Sequence, residues 1–152
     1  MDDMAVEVRP FTNDDRAGVT ALWIEAFPDD PPRNRPDRMI ARKMTVQPEL
    51  FLVALMDGRV IGTVLAGFDG VRGWIYHLAV EEASRRRGVG TRLVRAAEQA
   101  LAALGCPKIN LQVRSSNAAV VGFYTALGYV VEERVSLGKP LGEEEDDRVL
   151  YR

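Results

Sequence analysis

Apolar and polar positions change period several times along this chain, and each change marks an element. Ala5-Val6-Glu7-Val8-Arg9 alternates, the period of a half-buried strand. Thr12-Asn13-Asp14-Asp15 then supplies a helix N-cap with acids in the first turn, and Val19, Leu22, Trp23, Ala26 and Phe27 follow at helical spacing. Pro28 to Pro36 holds four prolines, two aspartates and two arginines and reads as a loop. A second helix is predicted over Asp37 to Thr45. Phe51 to Met56 is an apolar strand, Asp57-Gly58 a hairpin turn, and Arg59 to Phe68 the return strand. Asp69-Gly70 is a second turn signal, and Trp74 to Val80 is the next strand.

The second half carries less alternation and more helix. Leu93, Val94, Ala97, Leu101 and Leu104 line one side of a helix predicted from Thr91 to Leu104, with Gly105 as C-cap and Pro107 as stop. Ile109 to Val113 alternates as a strand. Ser115-Ser116-Asn117 caps a helix that continues through Phe123, Tyr124 and Leu127 to Gly128. Tyr129 to Leu137 and Arg148 to Tyr151 read as a final strand pair. The order β-α-α-β-β-β-α-β-α-β-β implies an α/β fold with a mixed, mostly antiparallel sheet and helices on both faces.

Composition narrows the class. At 152 residues one domain spanning 1–152 is expected. No apolar run reaches the ~18–20 residues of a membrane span, and no signal-peptide pattern opens the chain. Cys106 is the single cysteine, which fits a reducing compartment, and a cytoplasmic location is the expectation. One His and one Cys offer no metal cluster. The net charge of −2 gives no general case for nucleic acid or membrane binding. Glu143 to Asp147 form an acidic run that reads as a solvated loop; without it the chain is net positive.

The candidate chemistry lies at Arg85-Arg86-Arg87-Gly88-Val89-Gly90-Thr91, between a strand and a helix start. The first amides of a helix lack intrahelical acceptors, the macrodipole adds positive character, and glycines let backbone approach an anion. The arginines add charge beside a pyrophosphate. The segment is not a P-loop, since Gly90-Thr91 lacks the lysine, nor a dinucleotide fingerprint, since Leu93 stands where the third glycine belongs. In isolation it reads more simply as a helix start with solvated arginines. No aromatic adjoins the cluster, which argues against a nucleic-acid site.

The chain resembles the GNAT (Gcn5-related) N-acetyltransferase family. Leu78-Ala79-Val80 followed by Arg85 to Gly90 matches the acyl-CoA signature Arg/Gln-x-x-Gly-x-Gly/Ala. Asn117, Tyr124, Gly128 and Tyr129 match the pattern Asn-x6-Tyr-x3-Gly-aromatic, and the element order is the family's. Phe51 to Ala54, Gly105 to Ile109 and Ser136 to Lys139 are similar to the small bacterial YpeA-like branch.

The resemblance implies transfer of an acetyl group from acetyl-CoA to a primary amine, on a small molecule or a peptide, by direct attack. It places the pantetheine arm in a gap between the strand ending Leu78-Ala79-Val80 and the strand Ile109–Val113. It places the pyrophosphate on the amides of Arg86, Arg87, Gly88, Val89, Gly90 and Thr91, with Arg85 at the first signature position and Asn117 against the cofactor arm. It makes the Leu78 backbone N–H the oxyanion donor and Tyr124 the acid for the leaving thiolate. Arg86 departs from the glycine many relatives carry there, and Val120 from a common alanine.

No base is assigned. Gln112 stands where some relatives carry Glu. Strand alternation turns His77 away from the face of Trp74, Tyr76 and Leu78, where relatives place theirs, and predicts a core histidine with one hydrogen bond. Tyr76 has the better direction but a phenol's weak basicity, and a water relay to Glu81 or Glu82 is a further route. The acceptor would enter over the Pro28–Arg38 loop, with Trp23, Phe27, Asp29 and Asp30 as lining residues; the aspartates, with Asp37, read more simply as capping and solvating groups. Exposed C-terminal strands are compatible with a homodimer. The alternative reading is a non-catalytic acyl-CoA-binding regulatory module, motivated by Gln112.

Overall fold

The computed structural model describes residues 5–142. The elements are β1 (Val6–Pro10), α1 (Arg16–Ala26), α2 (Pro36–Lys43), β2 (Phe51–Met56), β3 (Arg59–Phe68), β4 (Gly73–Val80), α3 (Val89–Ala103), β5 (Ile109–Leu111) and α4 (Ala118–Ala126). They build a mixed α/β fold around a five-stranded sheet of order β1-β2-β3-β4-β5, antiparallel except for the parallel β4–β5 pair. The chain divides into two compact units, one ending at Leu111 and the other starting at Gln112. Among the described residues no helix is long and apolar enough to cross a membrane.

In the first unit, the sheet is covered by α1 and α2 on one face and α3 on the other. On the α1 side, Val19, Leu22, Trp23 and Ile40 pack on Phe51, Val53, Leu55, Leu65 and Ala79, all buried. Phe11, Phe51 and Trp23 stack in series, with ring centroids 4.4 and 5.7 Å apart. On the other face α3 buries Val89, Leu93, Val94, Ala97 and Leu101. Gly62 on β3 makes this close approach possible: a Cβ there would lie 2.9 Å from Leu93 Cδ1 and 3.1 Å from the Ala79 carbonyl oxygen.

Polar groups finish what the ladders leave open. Asp15, buried at the start of α1, accepts the Thr12 N–H at 2.8 Å and two Arg9 bonds at 2.8 and 3.0 Å. Burial opposes its charge, but the Arg9 and Thr12 bonds prevail and hold its carboxyl below the usual range. β2 begins at Phe51, opposite Leu65, so the end of β3, paired with β4 on its other side, has no ladder partner on its β2 side. Lys43 Nζ donates to the Ala66 carbonyl at 2.6 Å, and the Gln47 side chain pairs with the Phe68 N–H and C=O at 2.9 and 3.0 Å.

In the second unit, the side-chain oxygen of Asn117 accepts the Val120 N–H at 3.2 Å and caps α4. Gly128, at φ 99°, donates its N–H to the Thr125 carbonyl, and the Tyr129 N–H reaches the Tyr124 carbonyl at 3.1 Å. These two bonds form a Schellman closure, and the Tyr124 and Tyr129 rings add its apolar contact at 5.5 Å.

Several boundaries differ from the sequence reading; α2, for one, ends at Lys43 rather than Thr45. α3 starts at Val89 rather than Thr91, because Gly88, at φ 76°, is its N-cap. β5 ends at Leu111 rather than Val113. Residues 129–142 form no strand. The expected partner, Arg148 to Tyr151, lies outside the described residues with the acidic run Glu143 to Asp147. Val130, Val131, Val135 and Leu137 are exposed.

Candidate functional site

The site grows from an irregularity in β4. Its register against β3 shifts between Thr63 and Leu65: Thr63 pairs with Ala79, but Leu65 pairs with Tyr76. Two β4 residues, His77 and Leu78, therefore oppose one on β3, which is a β-bulge. His77 takes φ 50° there, a conformation that side chains other than glycine rarely adopt. Thr63 holds the bulge: its hydroxyl donates to the His77 carbonyl at 3.0 Å and accepts the Trp23 indole N–H at 2.9 Å.

The bulge corrects the direction expected for His77. Regular alternation would turn it from the face of Trp74 and Tyr76. With one extra residue inserted, its ring instead packs on the α1 side, 5.1 Å from the Trp23 ring and 4.4 Å from Phe27. Its Nε2 lies 3.0 Å from Asp30 Oδ2 in the loop after α1, with side chains 11% and 23% exposed. Asp30 is therefore not merely a solvating group. With Trp23, Phe27, Pro31, Arg35 and Pro36 it lines an open cleft of about 240 Å³. Asp29 is not among the lining residues, and Asp37 lies 3.6 Å from Arg35.

Beyond Ile75 β4 has no further strand partner on its β5 side among the described residues, which leaves that edge open within the first unit. The parallel ladder with β5 is Gly73 to Ile109, Trp74 to Asn110 and Ile75 to Leu111, and stops there. Glu81 donates its N–H to the Ile61 carbonyl on β3. By antiparallel alternation the neighbouring Val80 turns its N–H and C=O the other way, to the open edge. The Val80 carbonyl accepts the Arg85 Nε–H at 3.2 Å.

The chain then turns into α3. Glu82–Ser84 form a short 3-10 turn, Arg86 takes φ 68° and Gly88 φ 76°. Arg86 thus adopts the left-handed conformation that explains a glycine at that position in relatives. Arg92 donates its N–H to the Gly88 carbonyl at 3.0 Å, so the amides of Val89, Gly90 and Thr91 precede the first helical bond. Arg85, Arg86 and Arg87 are exposed. A backbone turn with two left-handed residues, orphan helix amides and three guanidinium groups suits a phosphate-bearing ligand.

Several candidate bases lose ground. Glu81 accepts Arg59 Nη1 at 2.5 Å and Ser84 Oγ at 2.8 Å, and the Arg59 bond holds its carboxyl below the usual range. Tyr76 is 52% exposed and stacks on Trp74 at 6.4 Å; burial, aided by the charge of Asp69, raises its phenol, which makes it harder to ionise. In the second unit, Tyr124 is buried, and burial pushes its hydroxyl up to about 12. It therefore stays protonated near neutral pH, as a proton donor must. Gln112 Nε2 donates to Ser136 Oγ at 2.5 Å. Cys106 Sγ donates to the Lys108 carbonyl at 3.4 Å. Among the described residues no group of His, Cys, Asp and Glu could hold a metal ion.

The His77–Asp30 pair and the left-handed Arg86 escaped sequence reasoning. Nothing local marks the bulge; a histidine beside Leu78-Ala79-Val80 and an aspartate 47 positions earlier are joined only by the fold.

Comparison with known proteins gives these features a context. Residues 16–129 match the model of the acetyltransferase (GNAT) family. An acetyltransferase of Pectobacterium atrosepticum is 42% identical over 141 residues, covering 93% of this chain and 99% of the relative. One of Yersinia pseudotuberculosis is 43% identical over 136 residues, covering 90% and 96%. Among solved structures, Ard1 from Thermoplasma volcanium superposes with a TM-score of 0.75 at 25% identity, covering 84% of each chain. The aminoglycoside N-acetyltransferase AAC(6')-Iy, solved in complex with CoA, shares the fold at a TM-score of 0.74 and 20% identity, covering 91% of this chain and 96% of that one. The chain belongs to the GNAT family and is an acyltransferase.

Proposed function

We propose that the chain acts as a single acetyltransferase domain that moves an acetyl group from acetyl-CoA to a primary amine. The observation that carries this is the open edge of β4, leading from the bulge directly into the Arg85–Thr91 turn. The residues fit the donor. The Leu78, Ala79 and Val80 backbone offers an extended edge to a pantetheine arm, in the manner of an added strand. The amides from Arg86 to Thr91 and the Arg85–Arg87 side chains receive the pyrophosphate. Asn117, whose side-chain oxygen is engaged at the helix cap, offers its amide N–H₂ to the arm. Acetyl-CoA supplies an activated thioester when bound.

The chain's own groups do the rest. The Leu78 N–H stabilises the carbonyl oxygen as negative charge develops on it. Tyr124 gives a proton to the departing sulfur. Trp23, Phe27 and Asp30 line the acceptor's entrance with Asp29 nearby, and Tyr76 belongs to the acceptor wall rather than to proton removal. The acceptor is an amine on a small molecule or a peptide; the neighbour solved with a CoA–acetylneamine bisubstrate analogue holds an amine of the first kind.

A second reading, acyl-CoA binding without turnover, rests on Gln112, an amide in place of a carboxylate. A thiol-release screen with acetyl-CoA against polyamines, amino acids, aminoglycosides and peptides with free N-termini separates the two. Release with any amine supports transfer; tight binding with no release across the panel supports the regulatory module.

A further inference from the structure

We propose that His77, held by Asp30, is the base that takes the proton from the attacking amine. The inference rests on the transfer reading above and deepens it. His77 directly precedes Leu78, so consecutive Cα spacing of about 3.8 Å keeps its imidazole within one side-chain length of the oxyanion donor. One bulge thus presents both the group that stabilises the carbonyl oxygen and the group that receives the proton. The strained φ of 50° at His77 places the ring on the α1 side, against Trp23 and Phe27 and beside the acceptor cleft lined by Asp30. Strain of this kind persists where surrounding structure fixes it and gathers at functional sites. Here the Thr63 and Trp23 hydrogen bonds fix it.

The Asp30 contact selects the tautomer. With the Nε2–H donated to the Asp30 carboxylate at 3.0 Å, the other ring nitrogen, Nδ1, carries the lone pair. Among the described residues, the ring neighbours of His77 other than Asp30 carry no charge. α1 contributes the uncharged Trp23 and Phe27, β3 the uncharged Thr63, and β4 the neutral Tyr76; Arg35 lines the cleft with Asp30. The step balances. The amine nitrogen bonds to the acetyl carbon, and the carbon–sulfur bond breaks with its electron pair on sulfur. The amine proton passes to His77 Nδ1, and the sulfur takes its proton from Tyr124. Exchange with solvent returns both residues to their starting forms. Asp30 is a positioning residue.

The test is thiol release from acetyl-CoA with spermidine, kanamycin and a free-N-terminal tripeptide, beside calorimetric CoA binding. His77→Gly suits the positive φ and leaves a gap the size of the ring. It is expected to lower kcat about 10²-fold, with free imidazole restoring about ten-fold or more. His77→Gln, which keeps a donor to Asp30, is expected to lose the same activity without rescue. Asp30→Asn is expected to fall about ten-fold in kcat. CoA affinity stays within about two-fold in all three. A His77→Gly enzyme that keeps its kcat, or loses it without imidazole rescue while binding CoA, overturns the assignment and leaves the transfer reading standing. CoA binding without release by wild type for any of the amines removes the transfer reading and this inference together.

Discussion

At the scale of single residues, backbone angle and hydrogen-bond partners decide roles more sharply than residue type. Arg86 carries charge toward the phosphate turn while occupying a conformation made for glycine. Arg86→Gly is therefore expected to raise stability, by up to about 1 kcal/mol, while weakening CoA binding several-fold; thermal melts and calorimetry check the two signs independently. Tyr124, its hydroxyl pushed up to about 12 by burial, remains a proton donor throughout the neutral range. Tyr124→Phe is expected to cost roughly 10²-fold in kcat with CoA affinity nearly unchanged; a normal rate across pH would remove it from the chemistry. The sequence already pointed to Tyr124 and to the arginine–glycine turn because both recur at fixed spacing. It could not point to His77, because a single inserted residue reverses the face on which a strand side chain lies. Alternation is a rule for regular ladders, and the Thr63–Ala79 and Leu65–Tyr76 pairs show where this ladder is not regular.

At the scale of elements, the site depends on how closely α3 approaches β3. Gly62 is the contact that sets this, with Leu93 Cδ1, the Ala79 carbonyl and Val89 all crowding its missing Cβ. Gly62→Ala is expected to cost about 1–3 kcal/mol of stability and to weaken CoA binding, because lifting the start of α3 moves the amides of Val89 to Thr91. Denaturant unfolding and calorimetry read both; unchanged values in each would show that the approach of α3 is not needed. The hairpins and helices were legible because Asp57-Gly58, Asp69-Gly70, Gly105 and Gly128 are strong punctuation with clear periods on either side. The family pattern around α4 has a second, structural meaning: Asn117 opens that helix, and Gly128 with Tyr129 closes it. The early end of β5 was not legible, since Gln112 and Val113 continue its alternation perfectly well. Strand ends depend on a partner's path, which a local pattern does not contain. Residues 129–142 make the same point, alternating enough to suggest a strand but lacking a ladder.

At the scale of the whole molecule, acid sensitivity follows from the carboxylates that folding pairs. Asp15 and Glu81 are both held below their usual range, Asp15 against the cost of burial and Glu81 chiefly by Arg59. A depressed carboxyl stabilises the fold above its unfolded value, and that contribution disappears as pH falls through the folded one. Stability is therefore expected to be level near neutrality and to drop below about pH 4. Asp15→Asn is expected to cost roughly 1–3 kcal/mol at pH 7 and to flatten the acid drop, as read by melts across pH; an unaltered slope would place the acid sensitivity elsewhere. The acyltransferase assignment rests on family membership, and the donor reading on one continuous feature from the open β4 edge to the first turn of α3. Backbone amide NMR during a CoA titration tests that reading most directly. The expected result is saturable shifts at Leu78, Val80 and Arg86 through Thr91. Saturation with those amides unmoved, or no shift anywhere in the folded protein, would contradict it.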